Sequence, residues 1–179
     1  LTNYQIALRS ITYHSISEDP TLTNSSRTIT WIVTDANSES LGAQISSGVT
    51  STINITARSD APVVTAGSTL VYIENASATI IDNTIAISDP DDIELSGASA
   101  SITSGFTAGD VLTLTTQNGI SGTFDGATGV LTISGTTTLA NYQTALRSIT
   151  YHTTSEDPTL TNSSRTITWI VTDANSESL

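Results

Sequence analysis

The stretch LANYQTALRSITYHTTSEDPTLTNSSRTITWIVTDANSESL, residues 139–179, decides how this chain reads. It occurs once before, as LTNYQIALRSITYHSISEDPTLTNSSRTITWIVTDANSESL, residues 1–41, with only four differences: Thr2/Ala140, Ile6/Thr144, Ser15/Thr153 and Ile16/Thr154. The offset is 138 residues, a period long enough for each copy to bury its own core, unlike the short units of a solenoid. The copies open with apolar residues at helical spacing (Leu1, Tyr4, Leu8; Leu139, Tyr142, Leu146). The second helix follows Thr136-Thr137-Thr138, a supply of N-caps that the first lacks, so the first turn of the first helix is expected to fray. Ser-Ile-Thr-Tyr then switches to period two. After a polar Pro-containing loop, Arg27–Thr34 alternates with Ile29, Trp31 and Val33 on one face, a strand expected to bury its Trp.

Working outward, Val49, Ser51, Ile53, Ile55 and Ala57 make one face of a long strand, and Ser59-Asp60-Ala61-Pro62 follows as the natural boundary, since Pro62 interrupts ladder pairing. The expected organisation is therefore residues 1–58, the C-terminal part of one repeat, and residues 59–179, the following repeat without the counterpart of strand 45–57. Short strands are expected near 62–65, 70–73 and 78–88, then one with Ala98, Ala100 and Ile102 inward. A meander over 111–134 turns at Asn118-Gly119 and Asp125-Gly126. The missing last strand leaves an unpaired edge. It is expected to take a strand from another molecule, giving a strand-exchanged homo-oligomer, or a rearranged N-terminal segment.

Ser and Thr make up 60 of the 179 residues, mostly alternating with Ile, Val and Leu, which suits all-β strands with one solvated face. A net charge of −12, from 17 acids against five Arg and no Lys, repels nucleic acid and anionic membrane and suits divalent cations or a salty exterior. There is no Cys, so no thiol nucleophile and no disulfide, and no apolar run long enough to span a membrane. His14 and His152 are one position seen twice at a strand end and read as surface or loop-edge residues without chemistry. No G-x-S-x-G, H-E-x-x-H or phosphate-binding glycine loop occurs, so no enzyme is expected.

Calcium needs hard oxygen ligands, and Asp89, Asp91 and Asp92 crowd three carboxylates into four residues after a strand. Like-charge repulsion makes such crowding costly unless solvent or a cation relieves it. Asp60 at the boundary and Glu74 with Asn75 are candidates for the same end of the domain, and Asp35 with Asn37 for reaching it from the preceding repeat. A merely solvated Asp-Pro-Asp-Asp turn explains the cluster equally well.

The run Thr138-Leu139-Ala140-Asn141-Tyr142 through Tyr151, then Ser155-Glu156-Asp157-Pro158 and Arg165 through Asp173, resembles the cadherin-like, immunoglobulin-like tandem repeat of giant bacterial adhesins, outer-membrane or secreted RTX-type proteins. Ser59-Asp60-Ala61-Pro62, Tyr72-Ile73-Glu74-Asn75 and Gly109-Asp110-Val111-Leu112 are similar to that family too, so the resemblance covers nearly the whole chain. It implies a Greek-key β-sandwich with a short helix before the penultimate strands. It also implies an extracellular or cell-surface location, reached without disulfides, and neighbouring repeats of the same chain as partners. The implied function is a structural spacer stacked end to end and stiffened by calcium, supporting adhesion or biofilm formation. A carbohydrate- or protein-binding module within the same kind of protein is the alternative. By motif, Glu74 looks like the early-strand ligand, Asp89 and Asp91 like the central pair, Asp60 like the linker ligand and Asp35 like the late-loop ligand of the preceding repeat. The linker carries one Asp where animal cadherins have more, and Asp35-Ala36-Asn37 stands where many relatives have Asp-Gly.

Overall fold

The computed structural model describes residues 1–174; the second DANSES loop runs past Asp173 and Ala174 to lie outside the described residues. The chain forms two compact units, one spanning Leu1–Arg58 and the other beginning at Ser59.

In the first unit, helix α1 (Thr2–Arg9) is followed by strands β1 (Ser26–Trp31) and β2 (Val49–Asn54). These two strands make an antiparallel two-stranded sheet, with Ser26 opposite Asn54 and Trp31 opposite Val49. No residue of this unit is buried. Trp31 stays half-exposed and donates its indole N–H to Ser51 Oγ at 2.9 Å, so the expectation of a core Trp fails here. Residues 11–14 form no strand, and Tyr13 is 44% exposed rather than in a core. As the missing Thr leads one to expect, α1 has no side-chain cap.

The second unit contains β3 (Val63–Thr65), β4 (Thr79–Ile80), β5 (Ala86–Ser88), β6 (Glu94–Ser104), β7 (Asp110–Thr113), β8 (Ser121–Asp125), β9 (Val130–Thr138), helix α2 (Leu139–Arg147), β10 (Thr150–Thr153) and β11 (Thr166–Asp173). The sheets run β11-β6-β9-β8, β4-β10-β7 and β3-β5. All pairings are antiparallel.

The core follows from period two on β6 and β9. Leu95, Ala98, Ala100 and Ile102 of β6 and Leu131 and Ile133 of β9 point inward, with a bulge between Leu95 and Gly97 resetting the register. They meet Leu112, Ile120, Tyr151 and the buried face of α2: Tyr142, Ala145 and Leu146. Each fully buried aliphatic or aromatic side chain contributes about 1.5–3 kcal/mol. Helix α2 is capped where the sequence offers Thr, with Thr138 Oγ1 accepting the Asn141 N–H. The Tyr142 hydroxyl donates to the Gly135 carbonyl.

The architecture overturns the Greek-key sandwich expectation. Across the described residues the strands sort into four separate open sheets, none closed, the largest of four strands. Two local causes are visible. Asp82 turns the chain inside the expected 78–88 strand and leaves a two-residue and a three-residue strand in its place. Segment 70–73, also expected as a strand, pairs with nothing. The expected meander is split as well. Asn118 (φ 52°) and Gly119 (φ 78°) do form a tight turn, closed by Gln117 and Ile120. The strands it leads between belong to different sheets, since β7 pairs with β10 and β8 with β9.

Candidate metal centre

The loop between β5 and β6 is Asp89-Pro90-Asp91-Asp92. Asp89 folds it, since one oxygen, Oδ1, accepts the backbone N–H of Asp91 (3.2 Å) and of Asp92 (3.1 Å). That Asx-type turn swings the next two carboxylates back toward the first. One oxygen from each of Asp89, Asp91 and Asp92 then lies within 4.8 Å of the other two. Two oxygens on one calcium ion are at most about 5 Å apart, so the triad fits the span of a single ion.

Burial raises the tension. Asp92 is 4% exposed, and Asp89 and Asp91 are half-buried. Asp89 Oδ2 and Asp91 Oδ1 are inaccessible to solvent and accept no hydrogen bond. Such oxygens are costly in protein unless something positive reaches them. Burial pushes the Asp89 carboxyl above its ordinary range; the Asp92 N–H pulls it back, and the Asp91 carboxylate pushes it up again. These three acids have the chemistry to hold a divalent cation.

The other expected ligands divide. Asp60 is at the site through its backbone, whose N–H donates to Asp91 Oδ2 at 2.8 Å, a contact that sequence gave no signal for. The Asp60 carboxylate is not among the converging group. Glu74 is exposed beside a turn closed by Ala76 N–H to the Ile73 carbonyl and does not join the triad. Asp35 belongs to the first unit, where it is exposed and accepts the Asn37 N–H at 2.9 Å.

Two further buried acids are spoken for by the protein itself. Asp82 accepts five hydrogen bonds: from Gly67 N–H, from Ser68 N–H and hydroxyl, and from Thr84 N–H and hydroxyl, at 2.6–3.0 Å. Burial alone would raise its pKa, but the Thr84, Gly67 and Ser68 donors outweigh it and hold the carboxyl well below the usual range. Asp110 accepts from Arg165 Nε at 2.6 Å, Tyr151 hydroxyl at 2.7 Å and Thr107 N–H at 2.9 Å. It too is depressed: burial opposes, and Arg165, Tyr151 and Thr107 prevail. The same contacts push the Tyr151 phenol far up, burial first and the Asp110 hydrogen bond next. Carboxylates locked in the ionised state, and a phenol locked in the neutral one, exchange no protons near neutral pH and make poor acid–base catalysts. His152, expected at the surface or a loop edge, is half-buried in β10, and its Nδ1 is sealed from solvent without a partner.

No family model matches the chain, and no solved structure matches it. Over 108 residues, 57% of the chain, it is 35% identical to Halomucin of Haloquadratum walsbyi, and the match spans 1% of that protein. These findings, with the four open sheets, overturn the cadherin- and immunoglobulin-like adhesin reading and the end-to-end spacer role it implied. The chain is instead β-rich and similar to a small part of one very long protein. It contains no cysteine, and among the described residues no helix is long and apolar enough to cross a membrane.

Proposed function

We propose that this chain is a non-enzymatic, cation-stabilised domain of a longer extracellular protein, and that its ion is calcium. Residues 1–58 belong to the C-terminal part of one repeat and residues 59–179 to the repeat that follows. The observation that carries the reading is the pair of sealed, unpartnered oxygens, Asp89 Oδ2 and Asp91 Oδ1, in a triad whose span suits one ion. An all-oxygen set favours calcium: zinc prefers nitrogen and sulfur, and magnesium demands a tighter octahedron. Asp89, Asp91 and Asp92 supply carboxylates, while Asp60 positions Asp91 through its N–H. Glu74 stands outside the triad. The acidity, the lack of disulfides and the likeness to part of Halomucin support a place outside the cell.

Thermal unfolding at fixed ionic strength tests this. Extracellular calcium modules bind at about 10⁻⁴ to 10⁻³ M, so millimolar calcium should raise the melting temperature over chelator by linkage. Asp91→Asn should abolish that rise, and in chelator it should melt no lower than the parent, because it relieves repulsion. A melting temperature indifferent to calcium in the parent would overturn the metal reading.

A further inference from the structure

Strand β5 pairs with β3 along one edge, with Val63 opposite Ser88, Val64 opposite Ile87 and Thr65 opposite Ala86. Among the described residues no strand takes its other edge. That edge is met instead by helix α2, which packs on β5. Gln143 Oε1 accepts the Ile87 N–H at 3.2 Å, and Arg147 Nε donates to the Ile85 carbonyl at 2.7 Å. Backbone groups two residues apart on an extended strand point to the same side, and residues four apart on a helix share a face. Two helical side chains, one acceptor and one donor, thus meet Ile87 and Ile85 as a neighbouring strand would.

The ribbon they complete ends at the acid triad. Ser88, the last residue of β5, leads directly into Asp89, and Asp60, just before β3, ties back to Asp91 through its N–H. Asp89 then turns the loop by accepting the N–H groups of Asp91 and Asp92. The placing of all three carboxylates therefore follows from where β5 delivers Asp89. Ligand distances at a metal centre are held to within about 0.2 Å. A strand of three residues, paired on one side only, needs a second support to deliver a ligand that closely.

We infer that Gln143 is a positioning residue of this metal centre. By holding the Ile87 N–H, two residues before Asp89, it fixes where the loop departs and so sets the affinity of the triad for a divalent cation. The inference rests on the reading of the triad as a cation site. The Gln143 amide oxygen is taken by Ile87, so its action passes through β5. Arg147 anchors the next turn of α2 to Ile85 and keeps Gln143 within reach. Tyr142, Ala145 and Leu146 of the same helix are buried, which refers the position of the loop to the core itself. Linkage is reciprocal, so a filled triad tightens the hold of α2 on β5 in turn.

Calcium titration calorimetry of the whole chain, at fixed and high ionic strength, tests this. Gln143→Met, of similar length but without an acceptor oxygen, should weaken binding about tenfold, the low end of what loss of an outer-shell partner costs. Gln143→Ala, which favours the helix and also removes the acceptor, should lose as much. Gln143→Glu keeps an acceptor at the same reach and should recover most of the affinity, its added charge being screened. Gln5→Met, at the same place in the first copy and exposed there, should bind as the parent does. Urea unfolding in saturating calcium checks that each variant is folded. Parent-like affinity in Gln143→Met and Gln143→Ala, with stability alone reduced, overturns the inference and leaves Gln143 a structural contact. So does an equal loss in Gln143→Glu. A parent that takes up no calcium overturns the metal reading and this inference with it, so the two failures are told apart.

Discussion

Arg165 and Arg27 sit in the same local sequence, Thr-Asn-Ser-Ser-Arg-Thr-Ile, yet the structure gives them different work. Both brace their loop through carbonyls: Arg27 on Asn24 and Pro20, Arg165 on Asn162 and Pro158. Only Arg165 also meets a carboxylate, Asp110, at 2.6 Å, with the Asp110 side chain 0% exposed and its own 11%. Replacing Arg165 by Met keeps much of the stem's packing but strands a buried anion with only Tyr151 and Thr107 as donors. Breaking a buried pair from one side costs about 3–5 kcal/mol. At about 4 °C per kcal/mol for a unit of this size, the transition of the second unit should fall by about 12–20 °C. Arg27→Met removes three carbonyl contacts, to Asn24, Ser26 and Pro20, but leaves no buried charge behind and should cost no more than about 1 kcal/mol. Urea unfolding followed by Trp fluorescence, with Trp31 and Trp169 replaced singly by Phe to separate the units, reads both. Equal losses for the two variants would refute the reasoning, because the shared loop contacts would then account for everything.

Asp82→Asn should destabilise the second unit by about 2–4 kcal/mol, since an amide accepts at one atom where the carboxylate accepts five donors at two; chemical denaturation measures it. The pH profile should follow from the sign. The folded pKa of Asp82 and of Asp110 lies below the ordinary value of 3.8, so their stabilisation is complete above about pH 5 and is lost as pH falls below 3.8 toward the folded values. Acid unfolding of the parent between about pH 4 and 2 should therefore be blunted in Asp82→Asn. Gly135→Ala should cost more than about 2 kcal/mol, because Gly135 has φ 127° and a Cβ there would strike the Gly119 carbonyl oxygen; failure to lower the melting temperature would contradict that geometry. Tyr142→Phe, which leaves the Gly135 carbonyl without its phenolic donor, should cost about 1–2 kcal/mol in the same assay.

The two copies show what a sequence can and cannot say. Tyr4 and Tyr142 stand at the same place in the same motif, and both helices form, because spacing and propensity act locally. Tyr4 is 71% exposed and Tyr142 fully buried, because burial depends on tertiary partners, and α2 packs on β5, β6 and β9 of its own unit. The inward positions of β6 and β9 were legible from period two, and the acid triad from composition. Asp82 and Asp110 were not legible as anchors, since their donors lie up to 55 residues away. The sandwich expectation went wrong for a related reason. Alternating Thr and Ile signal strands but not which strands share a sheet.

The central strand of the second unit has a consequence for synthesis. β6 is finished by residue 104, yet its partners are β9, beginning at Val130, and β11, beginning at Thr166. A ribosome making about 5–20 residues each second would hold β6 without its second neighbour for several seconds. For the first part of that interval neither β9 nor α2 exists to pair with it or cover its Ala and Ile face, and once they do the edge that β11 will cover is still open to any passing strand. Crowded translation of a chain that repeats this order is then when wrong pairings between copies would arise, and the alternating Ser and small residues of β6, poor in large apolar groups, make that edge a weak lure.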